Sequence, residues 1–461
     1  MEKFVTDDVK SCILKMLYTS SARVHFVGML GAGMLPLARL LHHNGVRVSG
    51  TDRRDMTNDE RRITHGIAFT PRHTAEGMGD VDLVVYSLAV PRDTPELVYA
   101  MGRGIRAVTR ADLLGAVAST YGTSVAVAGT HGKSTTTAIL THILSKAGLS
   151  PTAVSGATLT TGDALLIGGS DIFVMEACEY KNAFHAIHPT LAVITNIDHD
   201  HVDCFPTIGD VANAFRRFAL SAGTVMLNSG CPISMGIADG LSLLTYGTKD
   251  ADYPLLGYTL GVDKGEFTML IDGEKCHFTL PVPGWGNLID SVAAISAAHR
   301  LGTPVSQIRT AVASFTGIAR RIQPLGSIGG RAVYYDYAHH PREIENTLTV
   351  LRHRHGGVGV IFRPHTYSRT AAFLDGFRAS LSAADAVALI DVYAARESEA
   401  DGITSARLAE YIGDGAALVD TALALDYVLT HSDGAIVLMG AGEVDGILDE
   451  IKRRLDAPNA I

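Results

Sequence analysis

Short apolar runs alternate with longer amphipathic stretches from the first hundred residues onward. Val24-His25-Phe26-Val27 has the length and pattern of a buried strand. The next six residues, Gly28-Met29-Leu30-Gly31-Ala32-Gly33, are glycine-rich and predict a tight strand-to-helix turn. An apolar-faced helix, MLPLARLLHHNG, follows and stops at Gly45. A strand at 46–49 ends near Asp52, and a further strand at 83–86 runs into Ser87. This β-α-β rhythm predicts a parallel sheet with crossover helices.

The rhythm restarts twice. Near residue 116 a second unit begins, with a buried strand TSVAVA at 123–128 and a helix from Lys133 to Ala147, ended by Gly148. Strands at 172–175 and 191–195 each run into acidic or polar residues, 251–282 reads as β-hairpins, and LIDSVAAISAAHRLG reads as a helix. A third unit starts near 322, with buried strands at 358–362, 386–390 and 435–439. The expected fold is α/β in three domains: an N-terminal Rossmann-like parallel sheet over 1–115, a central P-loop-type α/β domain over 116–321, and a C-terminal Rossmann-like α/β domain over 322–461. The length of 461 residues agrees, at about 150 residues per domain.

Composition narrows the function. A net charge of −9 argues against broad binding to nucleic acid or anionic membranes. No apolar run of about 20 residues predicts membrane insertion. The N-terminal MEKFVTDDVKSCILKM lacks the apolar core of a secretory signal, so a cytoplasmic protein is expected. Cys12, Cys178, Cys204, Cys231 and Cys276 are scattered without CxxC spacing, which predicts reduced thiols and no zinc site. A monomer or weak homodimer is expected.

The chemistry concentrates in VAGTHGKSTTT. A glycine loop between strand and helix offers backbone N–H groups to an anion. Gly129, Thr130, His131, Gly132, Lys133, Ser134 and Thr135 would cradle the phosphates of a nucleotide, with Lys133 on the β- and γ-phosphates and the Ser134 hydroxyl on Mg²⁺. The bland reading is a tight turn that happens to hold GKS. Val127 stands where a standard P-loop has its first glycine. Acidic partners for magnesium belong at neighbouring strand ends, and Glu176 and the run IDHDHVD lie there. That run also fits a polar loop or a transition-metal site. In the first unit, Leu30 occupies the position of the second glycine of a dinucleotide fingerprint, which weakens an NAD reading.

GTHGKSTTT, Glu176, NIDHDHVD, PGWGN, Arg320-Arg321, YDYAHHPREI, RPHTYSRT and DVYAARE occur in this order, and together they resemble the Mur ligases over nearly the whole chain. The family's loop, GTxGK[ST]T, lacks the early glycine, which accounts for Val127. The resemblance implies that the first domain binds UDP-sugar, the central one ATP, and the third the amino-acid side. DYAHHP, HTYSRT and YAARE are similar to the alanine-adding branch, which implies UDP-N-acetylmuramate, L-alanine and ATP as substrates and Mg²⁺ as cofactor. The alternatives are a sister ligase adding a recycled peptide, serine or glycine in alanine's place, and a catalytically silent nucleotide-binding regulator.

Roles follow from the same resemblance. Lys133, Glu176, His201, Arg321 and Asp336 would be catalytic, with Arg320 the runner-up for Arg321 and with Ser134, Glu176 and His201 on metal. Asn287, Asp290, Arg321 and Asp336 would join the loop in holding ATP. Gly28, Gly31, Gly33, Asp52 and Ser87 would hold the UDP-sugar, although Asp52 is also readable as an exposed turn acid. His339, His340, His365 and Arg369 would gather the amino acid and acyl phosphate, although paired histidines also serve as caps. The absence of lysine from 202 through 223 excludes the carbamoylated lysine of some relatives. Cys178 and Tyr180 depart from the family's EADES, leaving Glu179 a candidate substrate contact. Gly286 and Asp290 depart from PGxHNxxN. Trp285 is readable as a base platform or as packing, and Arg396 with Glu397 as a surface pair.

Overall fold

Three successive β-sheets carry the chain. The computed structural model describes residues 22–395, 397–442 and 444–456, together with 10, 11, 13 and 14. Cys12 and Arg396 lie outside the described residues.

The first sheet contains β1 (Arg23–Val27), β2 (Arg47–Thr51), β3 (Ala68–Thr70), β4 (Leu83–Tyr86) and β5 (Arg106–Thr109). They pair in parallel in the order β3-β2-β1-β4-β5. Strands covered on both faces need near-continuous apolar runs, and Phe26, Val27, Val84 and Val85 are fully buried. Strand order reverses between β1 and β4, so the crevice at the carboxyl end of β1 is where such sheets take ligands. The glycine turn lies there.

Beneath that turn sits a buried polar cluster. Glu96 is fully buried, and its Oε1 is hydrogen-bonded to Thr51 Oγ1 and to His73 Nδ1, the latter at 3.0 Å. His25 shares a 2.9 Å hydrogen bond with Ser49 Oγ, while its Nε2 is buried with no partner. Burial therefore pushes the His25 imidazole down to about 4, against the pull of Glu96. The unfolded chain takes up this proton from about pH 6.5 downward, whereas the folded protein resists it until near pH 4. Stability is thus complete above pH 6.5 and falls by up to roughly 3 kcal/mol as pH drops through that window. Denaturant midpoints between pH 7 and 4 should show this loss in the wild type and a shallower one in His25→Phe. Equal slopes would contradict it.

The central sheet contains β6 (Thr123–Ala128), β7 (Thr152–Val154), β8 (Leu165–Leu166), β9 (Ile172–Glu176), β10 (Leu191–Ile194), β11 (Thr224–Asn228) and β12 (Leu243–Gly247). Their order is β12-β11-β10-β6-β9-β7-β8, parallel except for the β7–β8 pair. This sheet also has a switch point, with β9 and β10 flanking β6. An Arg39–Asp163 fork, with both N–O distances 2.7 Å, ties the first helix of the first sheet to the loop before β8. The predicted hairpins are an antiparallel meander of β13 (Tyr253–Leu260), β14 (Gly265–Ile271) and β15 (Glu274–Leu280). The following helix is Trp285–Arg300, so it begins earlier than LIDSV and takes in Trp285, Gly286 and Asn287.

The third sheet is mixed. It holds β16 (Gln323–Ile328), β17 (Arg331–Asp336), β18 (Val358–Arg363), β19 (Ala386–Leu389), β20 (Ala416–Leu418) and β21 (Ala435–Gly440) in the order β16-β17-β21-β18-β19-β20. Only β16 is antiparallel, joined to β17 by a tight turn at Gly329-Gly330 in which both glycines have positive φ. Val360, Phe362, Phe377, Val437 and Met439 form the core of one face. The first and central sheets belong to one compact unit; the meander, the segment 198–211 and the third sheet belong to another.

Candidate active site

The phosphate loop is held by backbone geometry and by the end of β10. Gly129 has φ +142°, and a Cβ there would lie 1.9 Å from Thr195 Oγ1, so no other residue fits. Gly132, at φ +82°, caps the helix Lys133–Lys146 in the left-handed region. Asn196 clamps the loop: its Oδ1 accepts from the His131 N–H (3.0 Å), its Nδ2 donates to the His131 carbonyl (2.9 Å), and its own carbonyl accepts from the Thr130 N–H (3.1 Å). Thr195 Oγ1 donates to the His131 carbonyl as well, at 2.5 Å. The sequence pattern gave Thr195 and Asn196 no role; their position just after a strand that pairs with β6 is the signal that would have found them.

Lys133 folds back over this loop. Its Nζ donates to the carbonyls of Gly129 and Thr130 and to the Glu179 carboxylate at 3.1 Å. Burial favours a neutral amine, but Glu179 together with Cys178 and Glu176 outweighs it and keeps the ammonium charged. Glu179, a residue expected to contact substrate, is thus the buried counter-ion of the loop lysine. Burial and the same carboxylate push the Cys178 thiol up, so it is protonated and not a nucleophile. Among the described residues, Cys178, Cys204, Cys231 and Cys276 form no disulfide.

Glu176 ends β9 with one oxygen committed: Oε1 accepts from Ser155 Oγ (2.5 Å) and from the Gly156 N–H (2.8 Å). Its Oε2 and the Ser134 hydroxyl carry no hydrogen bond among the described residues. Two such uncommitted oxygens, one at the end of β9 and one in the first turn of the helix Lys133–Lys146, fit a hard divalent cation.

The glycine turn gathers its predicted partners. The Gly28 and Met29 N–H groups donate to the Thr51 carbonyl (2.9 and 3.0 Å), and Asp52 Oδ2 accepts from the Leu30 N–H (2.9 Å). Asp52 is accordingly half-buried and tied to the turn, not a loose exposed acid. Ser87 lies beside Gly28, with its Cβ 3.6 Å from where a Gly28 Cβ would be. Gly28 itself has φ +76°, whereas Gly31 is under no such demand.

The second compact unit holds the remaining candidates. Asp336, at the end of β17, accepts from the Ile322 N–H (2.6 Å) and the Ala338 N–H (2.7 Å). Burial raises its carboxyl to about 6, opposed by Arg321. Arg321 lies 3.8 Å from Glu343, while the Arg320 guanidinium stacks 4.4 Å over the Tyr337 ring. Both arginines lie over the Tyr337 ring, Arg320 the closer and Arg321 at 5.8 Å, but only Arg321 is also beside the acids Glu343 and Asp336. His339 and His365 approach at 5.8 Å between ring centroids, and burial lowers them to about 4 and about 3, so both are neutral imidazoles near pH 7. His340 is buried and caps the helix Pro341–His355, its Nδ1 accepting from the Arg342 N–H.

Arg369, expected on the amino-acid side, is held by protein partners. Its Nε and Nη2 donate to Asp200 Oδ1 (3.0 and 2.7 Å), and Nη1 sits 3.1 Å from His365 Nδ1, with the residue 5% exposed. Burial acts against ionising Asp200, yet Arg369 holds its carboxyl well below the usual range. His201 follows with φ +51°, its N–H donating to Asp200 Oδ1 (2.7 Å). Glu397 is not a surface partner either: it accepts from the Ser368 N–H (2.9 Å) and Oγ (2.5 Å), fixing the start of the helix that carries Arg369.

Around the helix at 285, Trp285 is 40% exposed and tilted against Tyr258 at 4.8 Å. Asn287 Nδ2 donates to the Pro283 carbonyl (2.8 Å), and Asp290 is buried. A Cβ on Gly286 would meet only Asn346 Nδ2 at 3.9 Å, so glycine is not sterically required there.

A phosphate loop at the switch point of a parallel sheet, with a buried lysine–carboxylate pair and oxygen donors beside it, defines a nucleotide-dependent enzyme of phosphate chemistry. Three family models cover the chain: "Mur ligase family, catalytic domain" over 23–121, "Mur ligase middle domain" over 127–298 and "Mur ligase, glutamate ligase domain" over 320–442. The chain belongs to the Mur ligase family. It is 36% identical to a UDP-N-acetylmuramate–L-alanine ligase of Lachnospira eligens over 93% of this chain and 98% of that one. It is 39% identical to one from Thermobifida fusca, over 92% and 94%. The crystal structure of UDP-N-acetylmuramate–alanine ligase from Thermotoga maritima superimposes with a TM-score of 0.76 at 25% identity, covering 94% of this chain and 99% of that one. The fold is therefore the three-domain α/β fold expected from the alternating strands and helices.

Proposed function

We propose that this enzyme is an ATP-dependent ligase that joins L-alanine to the lactyl carboxylate of UDP-N-acetylmuramate, a step in making peptidoglycan precursors. The observation that carries this reading is the full-length likeness to alanine-adding ligases, combined with an intact phosphate loop and its buried lysine. A carboxylate is a poor electrophile. In this reading its oxygen attacks the γ-phosphorus of ATP, and ADP leaves. The alanine amine then attacks the acyl carbon, inorganic phosphate leaves, and the amine proton passes to solvent. Both steps gather negative charge, so positioning and cations carry the catalysis.

Lys133 is assigned to the γ-phosphate, and Arg321 and Asp336 to the nucleotide. Ser134 and Glu176 would hold Mg²⁺, with His201 at a second site; when bound, the ion neutralises phosphate charge. Gly28, Gly31, Gly33, Asp52 and Ser87 are assigned to the UDP-sugar, and Asn287 and Asp290 to the ATP base and ribose. His339, neutral near pH 7 and donating from Nδ1 to the Tyr337 carbonyl, can accept a hydrogen bond from the incoming amine at Nε2; His365, whose Nδ1 accepts from Arg369, offers an N–H donor on that side. His340 and Arg369 position that side of the site, Arg369 through Asp200 and His365. The proposed site of action is the cytoplasm. Among the described residues, no helix is long and apolar enough to cross a membrane. We divide the roles by domain at 1–115, 116–321 and 322–461.

The test is phosphate release with ATP and UDP-N-acetylmuramate, supplying alanine, serine, glycine and a short peptide one at a time, with the product's mass measured. Turnover should depend on an amino acid and be fastest with alanine. Faster turnover with the peptide would replace this reading by the peptide-adding one. The Asn196 clamp gives a second expectation. Asn196→Ala should raise the KM for ATP about 10-fold, the loss of one or two hydrogen bonds, with kcat little changed. An unchanged KM would remove Asn196 from the nucleotide site.

A further inference from the structure

Tyr393, from the run DVYAARE, has no task in the account so far. It lies shortly beyond β19, opposite a residue shortly beyond β18. His365 and Tyr393 pair in parallel there. The Tyr393 N–H donates to the Pro364 carbonyl (2.9 Å), and the Thr366 N–H donates to the Tyr393 carbonyl (3.0 Å). Residues paired in this register send their side chains to the same face. The two rings stack, with 5.6 Å between centroids and 30° between planes. The half-buried phenol ring is itself seated. A Cβ on Gly442 would lie 2.6 Å from its Cγ and 2.7 Å from its Cδ1, so only glycine leaves room for it. The Arg363 guanidinium sits 5.4 Å from the same ring's centroid. The Tyr393 hydroxyl, by contrast, makes no hydrogen bond among the described residues. The fold is thus built around the ring and not the hydroxyl. Thr366, next to His365, has φ +65°, which a β-branched residue keeps only where its surroundings hold it.

A neutral imidazole that donates a hydrogen bond needs two things fixed: which nitrogen carries the proton, and where the ring plane points. Arg369 fixes the first. Its Nη1 lies 3.1 Å from His365 Nδ1, and a guanidinium can only donate, so the proton sits on Nε2. Stacking on a seated aromatic ring fixes the second. We propose that Tyr393 is a positioning residue that aims the His365 Nε2–H at the carboxylate of the incoming amino acid. This rests on the reading of His365 as a donor on the amino-acid side.

The experiment measures kcat and the KM for alanine, ATP and UDP-N-acetylmuramate, with thermal melts alongside. It compares the full-length wild type with Tyr393→Ala, Tyr393→Leu, Tyr393→Phe, His365→Ala and the double variant of His365→Ala with Tyr393→Ala. Tyr393→Ala should raise the KM for alanine on the order of 10-fold, the loss of one aimed hydrogen bond, and leave the other two KM values unchanged. Tyr393→Leu fills the space without a stacking ring and should do the same; it carries the test if Tyr393→Ala fails to fold. Tyr393→Phe keeps the ring and should recover most of the loss. On a His365→Ala background, Tyr393→Ala should add nothing. A loss in Tyr393→Phe equal to that in Tyr393→Ala would overturn the proposal and make the hydroxyl a substrate contact. An unchanged KM for alanine in Tyr393→Ala, a rise shared by all three KM values, or losses that add in the double variant would each overturn it alone. His365→Ala with an unchanged KM for alanine would overturn the amino-acid reading of His365 and this role together.

Discussion

Lys133→Ala is expected to lower ATP-dependent phosphate release by about 10³-fold while leaving UDP-N-acetylmuramate affinity unchanged. The lysine is the cation placed by the phosphate loop, and its three N–H donors already point at Gly129, Thr130 and Glu179. Transfer of the γ-phosphoryl group spreads negative charge over oxygens that this ammonium can neutralise. Removing it also leaves Glu179 buried beside the phosphates without its counter-ion, which adds repulsion. The glycine turn is built on a different sheet, so sugar-nucleotide binding should survive. Steady-state phosphate release and a separate UDP-sugar titration check both halves. Loss of both would mean that the roles given to the first and central domains are wrong.

Arg369→Ala is expected to destabilise the unit that contains the third sheet by roughly 3–5 kcal/mol, the cost of leaving one member of a buried ion pair alone. Both side chains are 6% exposed, and Asp200 has the Arg369 guanidinium on one oxygen at 3.0 and 2.7 Å. The segment 198–211, which carries His201, is anchored through this pair. Replacing both partners with apolar residues, Asp200→Leu with Arg369→Met, should cost much less than the single change, because no charge is left buried. Calorimetric melts of the wild type, single and double variants decide it. A single-variant loss below about 1 kcal/mol would place the pair among surface-like contacts.

The strands that form the middle of each sheet were legible because burial on both faces demands unbroken apolar runs, as in β6, β10 and β18. The phosphate loop and glycine turn were legible because positive φ and close backbone approach require glycine at Gly28, Gly129 and Gly132. β3, β8 and β20 have two or three residues each and carry no pattern to read. The long-range pairings were out of reach for a different reason. Asn196 clamps His131, Arg369 takes Asp200, and Glu397 takes Ser368 only because the sheets bring distant segments together. Nothing in the spacing of these residues records it. The same holds for Gly33, which is visible in the sequence although its cause is not: the Arg110 Nη1 lies 2.9 Å from where a Cβ would be.

In the proposed reaction a carboxylate is activated by phosphorylation before the amine attacks. Its most direct test uses UDP-N-acetylmuramate labelled with ¹⁸O in the lactyl carboxylate, turned over with ATP and alanine. One labelled oxygen should appear in each inorganic phosphate released, because the carboxylate oxygen that attacks phosphorus leaves with it. Unlabelled phosphate accompanying formation of the alanyl product would contradict an acyl-phosphate route, and with it the roles assigned here to Lys133 and its loop.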